Sequence, residues 1–197
     1  MPRPALLPAD HPLAYSYVEP ASRLHRASPY SIKDQVHYMF ERQNITDLLN
    51  NYAYTLDVCM VDSSAADRWA ALFTDDCNVT YPFGTHVGTE GLAKWCLNAE
   101  LRFHRMMASH LSSNYTILFN SETVAHGRSA LFAVCGTHPE DMGQIFSEGG
   151  YYYWSFRKEL DGWKISYLFL DVNWVSGDSK GLNEPAAAEE GSKGPTD

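Results

Sequence analysis

Residues 44–76 read NITDLLNNYAYTLDVCMVDSSAADRWAALFTDD, and the spacing of their apolar side chains decides the fold. Ile45, Leu48, Leu49, Tyr52 and Leu56 fall at offsets of three, four, seven and eleven, the stripe of an α-helix with one buried face. Tyr52 lies on that stripe. Asp57 lies at its edge, in what should be the last turn, where the helix dipole presents its negative end. A short second helix over 64–73 then leads through Asp75 and Asp76 into the strand-like run CNVTYP. One helix thus supplies an apolar wall, a phenol and a carboxylate, and the chain beyond Cys77 must cover that wall.

Upstream, Ser31 with Asp34 has the form of a capping box, so the first helix should start there and run to about residue 60. Residues 1–30 hold six of the ten prolines and no sustained periodicity, which reads as an irregular arm. Downstream, 77–82 reads as a strand and 83–88 as a turn. Thr89-Glu90-Gly91 opens a third helix reaching about residue 105, with Leu92, Trp95, Cys96 and Ala99 on one face. From Met107 the period changes to two. Strands are expected over 107–120, 122–137, 144–160 and 163–175, with hairpin turns at Asn120-Ser121 and Asp161-Gly162. Residues 177–197 are poor in hydrophobics and rich in Gly, Pro and Glu, the composition of a disordered tail. Helices followed by antiparallel strands make one α+β domain over 31–176. The expected packing is a strongly curved, mostly antiparallel sheet around the first helix, a cone enclosing a pocket.

At 197 residues, 45% hydrophobic and 20% charged, the chain suits a single domain with a sizeable core. A net charge of −9 and no Lys/Arg cluster exclude a phosphate-binding face for nucleic acid and give no reason for attachment to an anionic membrane. No apolar run approaches the ~20 residues of a membrane span. The opening MPRPALLPADHPL is too broken by proline for a secretory h-region. Cys59, Cys77, Cys96 and Cys135 show neither CxxC nor zinc spacing and sit among apolar neighbours. They read as reduced core thiols of an intracellular, cytoplasmic protein. Aromatic residues reach 13% and cluster late in the chain, which favours a large apolar interior with a cavity.

Polar groups pointing inward from helix and sheet would converge in such a pocket. Asp57 is one candidate, against the alternative of a solvated helix-end acid. His110, in MASHLSSNY, is the second, against a satisfied or exposed strand histidine. Strand parity puts His110, Ser112, Asn114 and Thr116 on one face and Leu111, Tyr115, Ile117 and Phe119 on the other. If the apolar set faces the helices, His110 points away from them unless a bulge resets the register. His138, before Pro139, is either a pocket histidine or a loop residue, and Tyr81 either faces inward or packs on the sheet. Tyr151, Tyr152 and Tyr153 are consecutive, so each face receives at least one. HExxH, GxSxG and glycine-rich phosphate loops are absent, and His104 and His110 fit no metal-ligand spacing, so neither metal nor cofactor is expected.

A histidine oriented by a carboxylate can remove a proton beside a carbonyl and return it to a leaving hydroxyl. A tyrosine O–H can hold the enolate oxygen as charge develops there, and an apolar cavity strengthens both effects by excluding water. Dehydration, double-bond isomerisation and aldol-type or conjugate ring closure of a compact ketone are the fitting reactions.

The run Tyr52-Ala-Tyr-Thr-Leu-Asp57, then AALFTDD and a strand, resembles the SnoaL-like branch of the NTF2-like superfamily. That branch includes scytalone dehydratase, bile-acid dehydratases and polyketide cyclases. His110 followed by Asn114 is similar to the branch's "His, then Asn four on" strand, and LDGWKISYLFLDVNW to its final hairpin. The resemblance spans about residues 43–174. It implies a cone-shaped NTF2-like fold and a lyase, cyclase or isomerase of secondary metabolism. Asp57 and His110 would be the catalytic pair and Tyr52 a pocket phenol. Tyr81 and His138 would be the carbonyl-binding tyrosine and second histidine. Tyr152 would fall where scytalone dehydratase has a pocket asparagine. Leu56 stands in place of that enzyme's other carbonyl-binding tyrosine, which points away from scytalone itself as substrate. The superfamily also contains catalysts acting mainly by pocket shape and non-catalytic ligand-binding or dimerisation modules. A homodimer is expected, because exposed sheet in this fold commonly pairs two chains.

Overall fold

The structure, a computed structural model, describes residues 31–182, less the side chains of residues 105–112. The proline-rich arm and residues 183–197 of the acidic tail lie outside the described residues. Helix α1 spans Ile32–Val58. It opens with the expected capping box: Ser31 Oγ accepts from the Asp34 N–H at 3.2 Å, and the Asp34 carboxylate accepts from the Ser31 N–H at 3.2 Å. Ile45, Leu49, Tyr52 and Leu56 are buried along its second half, whereas residues 31–40 are exposed. Helix α2, Ala65–Ala70, is shorter than the sequence suggests. The Ile165 N–H reaches the Leu72 carbonyl at 2.9 Å and Phe73 pairs with Ile165, so the chain turns extended there and β1 runs Phe73–Tyr81. Non-local pairing overrides helix propensity at this point.

The turn expected over 83–88 is instead a second strand, β2, Gly84–Val87, hairpinned onto β1. Helix α3, Leu92–Glu100, starts after Gly91, whose φ of +75° suits glycine. It ends before residue 105 because β3, His104–Phe119, begins there. The meander continues with β4, Val124–Gly136, β5, Ile145–Glu159, and β6, Gly162–Ser176. The six strands form one mixed sheet in the order β2-β1-β6-β5-β4-β3, antiparallel throughout except for the parallel pair β1–β6.

The buried stripe of α1 packs on Trp154, Phe156, Trp163, Ile165 and Leu168. A buried carboxylate pins the two layers together: Glu41 accepts from Lys158 Nζ at 2.7 Å and from Trp163 Nε1 at 2.6 Å.

Two register shifts shape the inner face. Between β3 and β4 one falls between Ser113 and Thr116, where Asn114 adopts φ +55°, a conformation asparagine tolerates better than most residues. On one side of it Ile117 pairs with Gly127 and Phe119 with Ala125; on the other, Ser112 pairs with Leu131 and His110 with Ala133. Ile117, Ala125, Leu131 and Ala133 all belong to the main core. The bulge therefore reverses parity along β3, and positions 110 and 112 fall in rows whose β4 members face the core. The second shift lies between Gly149 and Gly150, where β5 meets β6. A Cβ on Gly149 would overlap the Trp174 indole, and one on Gly150 the Asp171 carbonyl oxygen. Only glycine lets the two strands approach this closely.

Candidate active site: a tyrosine-lined cavity at the end of the first helix

Leu56 in the last turn of α1, Tyr81 at the end of β1, Cys96 and Glu100 on α3, and Glu148 and Tyr152 on β5 surround a cavity of about 30 Å³, room for roughly one water. Phe83 at the β1–β2 turn and Leu182 stand at its wall. α1 and β5 bring two of these groups together by their own periodicity: Leu56 continues the buried stripe, and Tyr152 alternates with Trp154 and Phe156 on the inner face.

Three phenols form the polar spine. Tyr52 is hydrogen-bonded to Tyr81 and to Tyr152. Burial pushes all three hydroxyls well above the ordinary tyrosine range, and Glu148 and Glu100 add to the effect at Tyr152. They therefore stay protonated at neutral pH and keep an O–H to donate. Tyr52 itself sits behind the cavity wall, fully buried, its ring 5.0 Å from that of Trp154 and 5.8 Å from that of Trp69. Tyr81 and Tyr152 line the space directly.

Asp57 is partly buried in the last turn of α1. Burial, followed by the nearby Glu100, Glu148 and Asp57, raises the Cys135 thiol above its ordinary range. The backbone position of His110 lies opposite Ala133, which in turn lies opposite Glu148. The His110 side chain is outside the described residues, and with it the Asp57–His110 contact.

His138 is not at this cavity. It is exposed in the β4–β5 loop, where its Nδ1 accepts the N–H groups of Glu140 at 3.2 Å and Asp141 at 3.0 Å. Turn capping explains the residue, and the role of second pocket histidine is corrected to a loop role. Sequence reasoning missed Glu148 and Glu100. Glu148 is 5% exposed on the inner face, and its only sequence signal is an acid at the core parity of an aromatic strand, just before the Gly149-Gly150 pair. Among the described residues no three His, Cys, Asp or Glu side chains converge to hold a metal ion.

A profile of the SnoaL-like domain matches residues 38–168, taking in α1, the cavity and the sheet as far as β6. The chain belongs to the SnoaL-like family, within the NTF2-like superfamily. Among solved structures, this SnoaL-like domain is similar to a candidate scytalone dehydratase of Novosphingobium aromaticivorans. The two share 28% identity over 72% of this chain and 89% of that one, with a TM-score of 0.62. A hexachlorocyclohexane dehydrochlorinase, LinA-type3, of Novosphingobium barchaimii shares the fold at 21% identity, TM-score 0.59, over 73% of this chain and 93% of its own. A candidate aromatic ring hydroxylase of N. aromaticivorans does so at 22% identity and TM-score 0.61, over 71% and 94%. No curated protein matches the chain.

Proposed function

We propose that this SnoaL-like domain is a cofactor-free acid/base enzyme, a dehydratase or isomerase acting on a small cyclic ketone. In this reading His110, oriented by Asp57, moves the proton beside the carbonyl. Tyr81 and Tyr152 donate to the carbonyl oxygen as it becomes an enolate. The observation that carries the reading is the bulge at Asn114. Without it position 110 would share the outward parity of Thr116; with it the position falls in the row of Ala133 and Glu148, at the cavity end of α1. The likeness to the candidate scytalone dehydratase supports the same reaction class.

The test is turnover on a panel of cyclic ketones and β-hydroxy ketones, followed by absorbance of the conjugated product. On any substrate the wild type converts, Asp57→Asn and His110→Ala should each lower kcat/KM by roughly 10²–10⁴-fold with the circular dichroism spectrum unchanged. Near-wild-type turnover in both variants would sink the proposal.

One observation favours a second reading, a non-catalytic binding or dimerisation module: the cavity has room for about one water. A ring substrate must displace side chains at the wall. If no ketone in the panel shifts the melting temperature or is turned over, the module reading prevails. We further propose that the outer face of the sheet pairs two copies of the chain. Phe132 and Trp174 are each 45% exposed there, with ring centroids 5.9 Å apart, and Tyr151 is 38% exposed beside them.

A further inference from the structure

Helix α1 carries two apolar stripes on opposite sides. From Ile45 to Leu56 the apolar residues face the core. Ahead of them the same side is taken by Asp34, Tyr38 and Glu41, which line a groove against Phe119 and Glu122. The Tyr38 and Phe119 rings meet there with centroids 5.5 Å apart. Ile32, Val36, Met39 and Phe40 fall at offsets of four, seven and eight. At 3.6 residues per turn they share one face, turned away from the groove and the core. They are between 59% and 80% exposed. Four large apolar side chains turned to water within nine residues form a surface with area to bury.

We propose that this outward stripe is the docking site for residues 1–30 of the same chain, with Leu13, Tyr15 and Tyr17 as the anchors. The run LAYSYV, 13–18, puts those three residues at alternate positions. Laid extended, they face one way and span about 13 Å at ~3.3 Å per residue. The stripe from Ile32 to Phe40 covers about 12 Å of helix at ~1.5 Å per residue, so the two lengths match. The segment joins the helix at Ser31, and residues 19–31 can reach roughly 40 Å when extended, ample to fold back along three turns. Such a tether holds the anchors at an effective concentration of about a millimolar, so a weak contact suffices. Six prolines within 1–30 leave the segment less conformational freedom to lose on docking. A second copy of the chain fits this stripe poorly. Four apolar side chains fall far short of the roughly 20 residues a side that a stable pair of chains buries.

The test is limited digestion of the full chain with chymotrypsin, timing cleavage after Tyr15 and Tyr17 by mass analysis. A synthetic peptide of residues 1–30 gives the rate for the undocked segment. Cleavage in the full chain should be slower by about tenfold or more, because the protease acts on the released segment. Val36→Lys and Met39→Lys lie on the outward face, so both should keep the circular dichroism spectrum and raise cleavage to the peptide rate. Leu13→Asp, compared with a peptide carrying the same change, should do likewise and serves if the helix variants fold poorly. Wild-type cleavage at the peptide rate would overturn the proposal. So would protection that survives all three substitutions, which would put the segment elsewhere on the domain. Protection lost on dilution through the micromolar range, as light scattering shows two chains becoming one, would assign the stripe to a second copy and overturn it as well.

Discussion

Tyr151 and Tyr152 are consecutive in β5 and belong to opposite faces of the same sheet. Tyr152 is 1% exposed, its ring 4.8 Å from Trp154 and 5.7 Å from Tyr52. Tyr151 is 38% exposed, with the Arg128 guanidinium 6.0 Å from its ring centroid. The inner face meets α1 and is filled, so its aromatic groups carry stability and line a cavity. The outer face bears the same residue types and leaves Tyr151 38% and Phe132 and Trp174 each 45% exposed, while Tyr153 and Phe169 are buried there in a small cluster of their own. A single strand thus supplies one tyrosine to the core and another to a surface that still has apolar area to bury.

The contrast is tested most severely by truncation. Trp154→Ala removes a fully buried ring whose Nε1 donates to Ser129 Oγ at 3.0 Å. It should cost about 3–5 kcal/mol in urea unfolding, against about 0.5 kcal/mol or less for Tyr151→Ala in the monomer. Equal losses would mean that the two faces do not differ energetically. Gly150→Ala drives a Cβ into the Asp171 carbonyl and should cost about 2–3 kcal/mol; a neutral result would show that the bulge relaxes freely. Trp174→Lys should leave the monomer folded while weakening self-association by about 2 kcal/mol or more, if the outer face is the dimer contact. Light scattering across a micromolar dilution series reads this directly, and a monomeric wild type refutes the contact.

The smallest effect concerns acid. Burial alone would raise the Glu41 carboxyl, but its hydrogen bonds from Lys158 and Trp163 outweigh this and hold it below the ordinary range. A lowered folded value means that the unfolded chain takes up the proton first. Stability from Glu41 is therefore fully present above the unfolded carboxyl value of about 4.3 and is lost as pH falls through the folded one. Melting temperatures measured from pH 6 down to pH 3 should fall less steeply in Glu41→Gln than in wild type, and parallel curves would exclude this linkage.

Much of this was legible in the residues. The Ser31–Asp34 capping box, the stripe from Ile45 to Leu56 and the alternation of Tyr152, Trp154 and Phe156 are local signals, and local signals survive folding. β2 was not legible, because four residues between glycines read as a turn until β1 pairs with them. Nor was the start of β1, which depends on Ile165, far along the chain. Parity along β3 could be read only as an alternative, since nothing but the left-handed Asn114 marks the bulge. At the site, Tyr81 and Tyr152 reach the cavity as expected and Tyr52 stands one layer behind them. His138 does not reach it, because a histidine before proline looks the same in sequence whether it faces a pocket or caps a turn.

The sheet order carries a consequence for how the chain is made. β6, the latest of the described strands, enters the middle of the sheet between β1 and β5. Until residues 162–176 emerge from the ribosome, β1 has only β2 beside it and β5 keeps an open edge, with the apolar wall of α1 incompletely covered. A pairing so distant in sequence is slow to close, and exposed edges in the interval invite contact with other chains. Synthesis of this domain therefore passes through a stage at which most of its strands are made but the domain cannot yet fold, and chaperone dependence should concentrate in that window.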